Sequence, residues 1–304
     1  MRDISPVPRN VTRQAAAGLR AAAAGWLLVA AATVGGHATA AAVQRSCPNG
    51  GKADLLQGAV PRFVDRLGRN AVLKIVTIGS SSTAGAGATS PANSYPNQLE
   101  ADLTRRFPHQ EIDVVNAGVN GQEVPEMLAR LDQDVLSHRP DLVIWQFGSN
   151  GLLRGRPLAE LESGARAGIE RLKRAGVEVI IMDLQHAPRI DSVAARDEVL
   201  QMMQRLSVST GTALFHRYRL MKAWAASLGG RYSEMVAPDH LHMTDTSYRC
   251  MARALAASLQ NAAVRQLGGV RTSGRLATAA QLPLITRKSG LSAMNASVAF
   301  SQPR

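Results

Sequence analysis

From residue 72 onward the sequence alternates short, almost uninterrupted apolar runs with longer amphipathic stretches, and this alternation limits the folds open to it. The runs 72–78, 112–115, 142–147, 177–182 and 213–215 are rich in Val and Ile. A strand that is apolar on both faces belongs in a sheet with helices on both sides, the situation of a parallel sheet. Between the runs, 95–107, 123–138, 158–175, 193–210 and 218–228 carry the apolar spacing of helices, and a last helix is expected from Thr246 to about Leu267. Ser94 ahead of Tyr95-Pro96 offers an N-cap followed by an early proline. Five βα units in one run predict a doubly wound, three-layer α/β sandwich around a parallel sheet of about five strands. In such folds the functional residues lie beyond the carboxyl ends of the strands.

The flanks read differently. Arg2, Arg9, Arg13 and Arg20 precede an apolar run from Ala21 to about Gly36, and Ala38-Thr39-Ala40 follows. A positive region, an apolar region and small residues in that order make residues 1–42 a signal peptide cleaved near Ala40–Ala42, which implies a periplasmic or secreted protein. The run is shorter than the roughly 20 apolar residues of a bilayer span, so no stable membrane anchor is expected after cleavage. Residues 43–70 read as a lead-in, partly helical around Leu55–Leu67, 71–266 as the main α/β domain, and 267–304 as a flexible basic tail. The net charge of +12 is concentrated in these ends. Five arginines stand against one aspartate in 1–45, and five basic residues stand against no acid in 267–304. Only about +3 is left for the middle, without the basic-aromatic stripe of a nucleic-acid binder. Cys47 and Cys250 are the two cysteines. In an oxidising compartment an even pair suggests a disulfide, the alternative being two buried thiols.

The first strand ends in Gly79-Ser80-Ser81-Ser82-Thr83-Ala84-Gly85. It lacks the Lys of a phosphate loop and the G-x-S-x-G of a nucleophile elbow. Near the far end, Asp239-His240-Leu241-His242 puts a carboxylate three residues ahead of a histidine. On one tight turn such a carboxylate fixes the imidazole tautomer and leaves the other nitrogen free to take a serine proton. Gly121 follows the second strand and Asn150 the third, so all these segments fall on one rim of the expected sheet.

Ile78-Gly79-Ser80-Ser81-Ser82-Thr83-Ala84-Gly85 resembles the G-D-S-L block of SGNH (GDSL-like) hydrolases, Asn116 to Gly121 the N-x-x-x-x-G block, Gly148-Ser149-Asn150 the G-x-N block, and Asp239 to His242 the D-x-x-H block. They occur in family order across 72–264. The resemblance implies a flavodoxin-like serine esterase that needs neither metal nor organic cofactor. It makes Ser81 the nucleophile, His242 the base and Asp239 its partner, with Ser81, Gly121 and Asn150 around the oxyanion. The substrate class implied is a short-chain acyl or O-acetyl ester, including acetylated glycans. A polysaccharide O-acetyltransferase on the same residues, or a non-catalytic carbohydrate- or acyl-binding protein on the same fold, are the alternatives. The sequence departs from the family block at Ser80, where the family has aspartate, and at Gly151, where an aspartate often follows the oxyanion asparagine. His240 adjoins the turn but misses the three-residue spacing. Tyr95, after a Gly/Ser-rich loop, and His186, after the fourth strand, are placed to line a substrate pocket. Trp145, Phe147, Met202 and Met203 read as core.

Overall fold

The structure is a computed structural model that describes residues 46–48, 54–69 and 71–272. Six strands form one sheet: β1 (Leu56–Gln57), β2 (Leu73–Gly79), β3 (Ile112–Gly118), β4 (Leu142–Gln146), β5 (Glu178–Met182) and β6 (Ala213–Phe215), in the order β1-β6-β5-β4-β2-β3. The last five are parallel, and β1 joins β6 antiparallel at the edge.

Alternation along the strands divides the core into two. Leu73, Ile75, Leu142, Ile144, Ile180 and Met182 face one way. They pack against α1 (Pro61–Arg66), against α3 (Tyr95–Arg106), which follows the single-turn α2 (Ser81–Ala84), and against helices from the end of the chain. Val76, Ile78, Val143, Trp145, Val179 and Ile181 face the other way, onto helices from the middle. Those middle helices are α4 (Val124–Ala129), α5 (Leu131–Asp134), α6 (Ser149–Leu153), α7 (Leu158–Arg174), α8 (Pro188–Asp191) and α9 (Arg196–Thr210). The end of the chain supplies α10 (Arg217–Leu228) and α11 (Asp245–Thr272). Both faces of the central strands are covered, which is why their sequences read as continuous apolar runs. Trp145, Phe147, Met202 and Met203 are fully buried. From β2 the chain goes to β3 on one side and then to β4 on the other. This reversal opens a crevice at the carboxyl ends of β2 and β4, the customary binding position of a doubly wound sheet.

The structure corrects four expectations. The lead-in is part of the sheet: β1 and α1 come from it, the sheet has six strands, and no boundary separates 54–69 from the rest. The expected helix over 123–138 is interrupted. Arg130 leaves helical geometry at φ −107° and ψ 7°, and its partly buried side chain reaches the Gln122 side chain and the Gly79 carbonyl. The helix expected over 193–210 starts at Arg196, behind the separate turn α8. Helix α11 runs five residues past Leu267, into the expected tail. Ser94 occupies the N-cap position of α3, but its hydroxyl makes no capping bond. The signal segment 1–42 and residues 273–304 lie outside the described residues.

Candidate active site

Ser81 opens α2 directly beyond β2, and the turn that presents it rests on two glycines. Gly79 and Gly118 are register partners on neighbouring strands. A Cβ on Gly79 would stand 2.2 Å from Oγ1 of Thr83, and one on Gly118 would stand 2.1 Å from the Ala84 nitrogen. Any larger residue would push α2 off the sheet. From below, Gln146 at the end of β4 holds the same turn. Its Oε1 accepts from the Ser80 N–H at 3.0 Å, from the Ser80 hydroxyl at 3.2 Å and from the Thr83 hydroxyl at 3.2 Å.

The second half of the site is the turn closed by the isolated bridge between Val236 and Met243, just ahead of α11. Oδ1 of Asp239 accepts the backbone N–H groups of Leu241 at 3.0 Å and His242 at 2.9 Å, while its Oδ2 meets Nδ1 of His242. His240, exposed at φ 59°, points away, and its carbonyl accepts the Arg189 N–H at 3.1 Å. Nε2 of His242 lies 2.7 Å from Oγ of Ser81, across 161 residues of sequence. Partial burial works to raise the Asp239 pKa. The two N–H groups and the His242 ring outweigh it and bring the carboxyl from 3.8 down to about 2.

On the opposite side, Gly121 takes φ 77°, a left-handed conformation that favours glycine. Nδ2 of Asn150, the second residue of α6, donates to the Gln122 carbonyl at 2.9 Å, and Nη1 of Arg154 donates to the Gly121 carbonyl at 3.0 Å. Arg154 and Arg156 both pair with Glu123, at 2.5 and 3.1 Å. Desolvation acts to raise the Glu123 pKa, but the two guanidinium groups hold it below the ordinary carboxylate range. Behind Asn150, Ser149 and buried Arg217 both donate to Oε1 of Gln185, at 2.8 and 2.9 Å.

Ser81, Gly121, Asn150 and His242 line one open cleft of about 360 Å³. Ala86, Leu153 and Leu241 give it apolar wall, and Asn120, Arg154 and Arg189 its polar rim. Two residues expected at the pocket stand elsewhere. Tyr95 is fully buried in the core under α3. His186 lies behind α8, with Nδ1 2.6 Å from Asp191 and its ring between Tyr218 and Tyr232. Its polar atoms serve the fold. No motif in the sequence assigns a role to Gln146, Arg154 or Arg189. Only Gln146 carried a signal, as a lone amide inside an apolar strand.

Cys47 and Cys250 form a disulfide, with Cα atoms 5.4 Å apart, joining the N-terminal segment to the second turn of α11.

Comparison with known proteins agrees with this architecture. An arylesterase of Vibrio mimicus is 32% identical over 116 residues, 38% of this chain and 56% of that protein. Esterase TesA of Pseudomonas aeruginosa is 30% identical over 88 residues, 28% of this chain and 44% of that protein. The chain thus matches about half the length of these curated relatives. Among solved structures, a two-domain esterase active on acetylated mannans superposes with a TM-score of 0.59 at 19% identity, over 68% of this chain and 54% of that one. The acetyl xylan esterase Axe2 of Geobacillus stearothermophilus gives 0.53 at 21%, over 64% and 96%. At such identities the likeness establishes the fold, that of SGNH hydrolases. Residues 50–265 match the family described as non-GDSL lipase-like, and the chain belongs to that family.

Proposed function

We propose that the protein is a carboxylic ester hydrolase that works through an acyl-enzyme on Ser81. The observation that carries this reading is the hydrogen-bonded line from Asp239 through His242 to Ser81, with the cleft open above it. Oγ of Ser81 attacks the ester carbonyl as Nε2 of His242 takes its proton, and Asp239 stabilises the imidazolium. The proton then passes to the departing alcohol. Water, deprotonated by the same nitrogen, releases the acid and returns the proton to Ser81. The backbone N–H groups of Ser81 and Gly121 and the second N–H of the Asn150 amide are the donors assigned to the oxyanion.

The cleft is small, at about 360 Å³, and partly polar, which suits a small acyl group better than a long chain. Two relatives in fold are, by their descriptions, active on acetylated mannans and an acetyl xylan esterase, and an O-acetyl ester of a glycan is the substrate class proposed. Export completes the reading, with residues 1–42 as the cleaved signal and the Cys47–Cys250 bond as the kind of cross-link that persists in an oxidising compartment. The test is hydrolysis of 4-nitrophenyl acetate by the mature chain, followed by acetate release from acetylated glycans. Absence of turnover on every acyl ester from two to twelve carbons would overturn the reading. Acetyl transfer to a sugar acceptor in place of acetate release would redirect it to a transferase.

A further inference from the structure

Resting on the esterase reading, we infer that the substrate carries a carboxylate beside its scissile ester and that Arg189 is the residue that recognises it. Arg189 lines the same cleft as Ser81 and His242, and it is exposed there. Among the described residues that line the cleft, none is a carboxylate. The other guanidinium on its rim, Arg154, is paired with Glu123, which it shares with Arg156. Among the described residues, Arg189 has no such counter-ion.

Its neighbours explain why. Asp191, two residues on, could reach back to it, but both oxygens are committed elsewhere. Oδ1 accepts the Tyr218 hydroxyl at 2.7 Å and stands 3.5 Å from Arg196, and Oδ2 lies 2.6 Å from Nδ1 of His186. Asp239 is taken up by His242 and two backbone N–H groups. The platform under Arg189 is also fixed. Asp191 pins the end of α8, and the Arg189 N–H is bonded to the His240 carbonyl, within the turn that bears His242. The side chain is therefore presented from a fixed backbone, close in structure to the proposed base, as a positive charge without a partner. A guanidinium matches a carboxylate as a planar fork.

The experiment compares kcat/KM within two matched pairs, one for each side of the ester. The first is 4-acetoxybenzoate against 4-acetoxybenzamide, and the second is 4-nitrophenyl hydrogen adipate against 4-nitrophenyl hexanoate. In Arg189→Ala the anionic-to-neutral ratio should fall about three- to tenfold in at least one pair, as expected for loss of a charge-assisted contact at a partly exposed site. Arg189→Glu should lower it further, Arg189→Lys should restore part of it, and added salt should lower it in the wild type. Turnover of the neutral esters reports that each variant is folded. Ratios unchanged by Arg189→Ala and Arg189→Glu in both pairs, with neutral turnover intact, would overturn the inference and leave the esterase reading standing. No turnover of any of the four by the wild type would overturn both.

Discussion

Ser81 and His242 meet at 2.7 Å only because two short turns, each stabilised by its own backbone bonds, face each other across the crevice. Ser81→Ala is expected to lower kcat by at least about a thousandfold with little change in stability, measured by ester turnover and denaturant unfolding on one preparation. Asn150→Ala should cost about 100- to 1,000-fold in kcat and leave KM nearly constant, since its free N–H is assigned to the charge that develops in the transition state. Asp239 makes a prediction of opposite kind. Its carboxyl titrates near 2 when folded against 3.8 when free, so the stabilisation it supplies is complete above about pH 4 and is lost as pH falls towards 2. Asp239→Asn should therefore flatten the dependence of stability on pH in that window, as read from unfolding midpoints between pH 2 and 5. At this scale the sequence was informative where spacing alone defines a geometry. The three-residue spacing from Asp239 to His242 describes one turn, and the glycines around Ser81 and Gly121 mark backbone that must turn sharply. It was silent on Arg189 and misleading on Tyr95. Whether a side chain faces the cleft or the core depends on the roll of its helix, which a single residue does not reveal.

Among the elements, α2 depends on its neighbours for its position. Four residues long, it cannot be stable alone. It is held by glycine backbones on β2 and β3 and by the amide oxygen of Gln146 on β4. Gln146→Leu would leave buried donors of Ser80 and Thr83 unpaired. A loss of about 2–4 kcal/mol in unfolding free energy is expected, together with a fall in kcat that exceeds the effect on KM. The parallel strands were legible because burial on both faces leaves a continuous apolar run. The helix expected over 123–138 was misread for a physical reason: Met127, Leu131 and Val135 keep helical spacing and are all buried, yet Arg130 between them turns inward to reach the Gly79 carbonyl. Two-residue β1 lies below the length at which periodicity carries information, and its pairing with β6 is visible only in the fold.

Across the whole molecule, the Cys47–Cys250 bond spans a sequence separation of 203 and fastens the start of the described chain to the helix that follows the His242 turn. Chain entropy sets a ceiling of about 5 kcal/mol on its contribution. Replacing both cysteines by serine should lower the unfolding free energy by up to that amount while ester turnover persists, as checked by denaturant titration with and without reductant. The distance in sequence between the two halves of the site has a temporal consequence. A chain made from its N-terminus has its whole parallel sheet, Ser81, Gly121 and Asn150 available once residue 215 has emerged. His242, the second cysteine and the covering helix α11 arrive last. A chain that ends between residue 215 and His242 therefore holds the proposed nucleophile without its proposed base, and ester turnover would report that synthesis has passed the His242 turn.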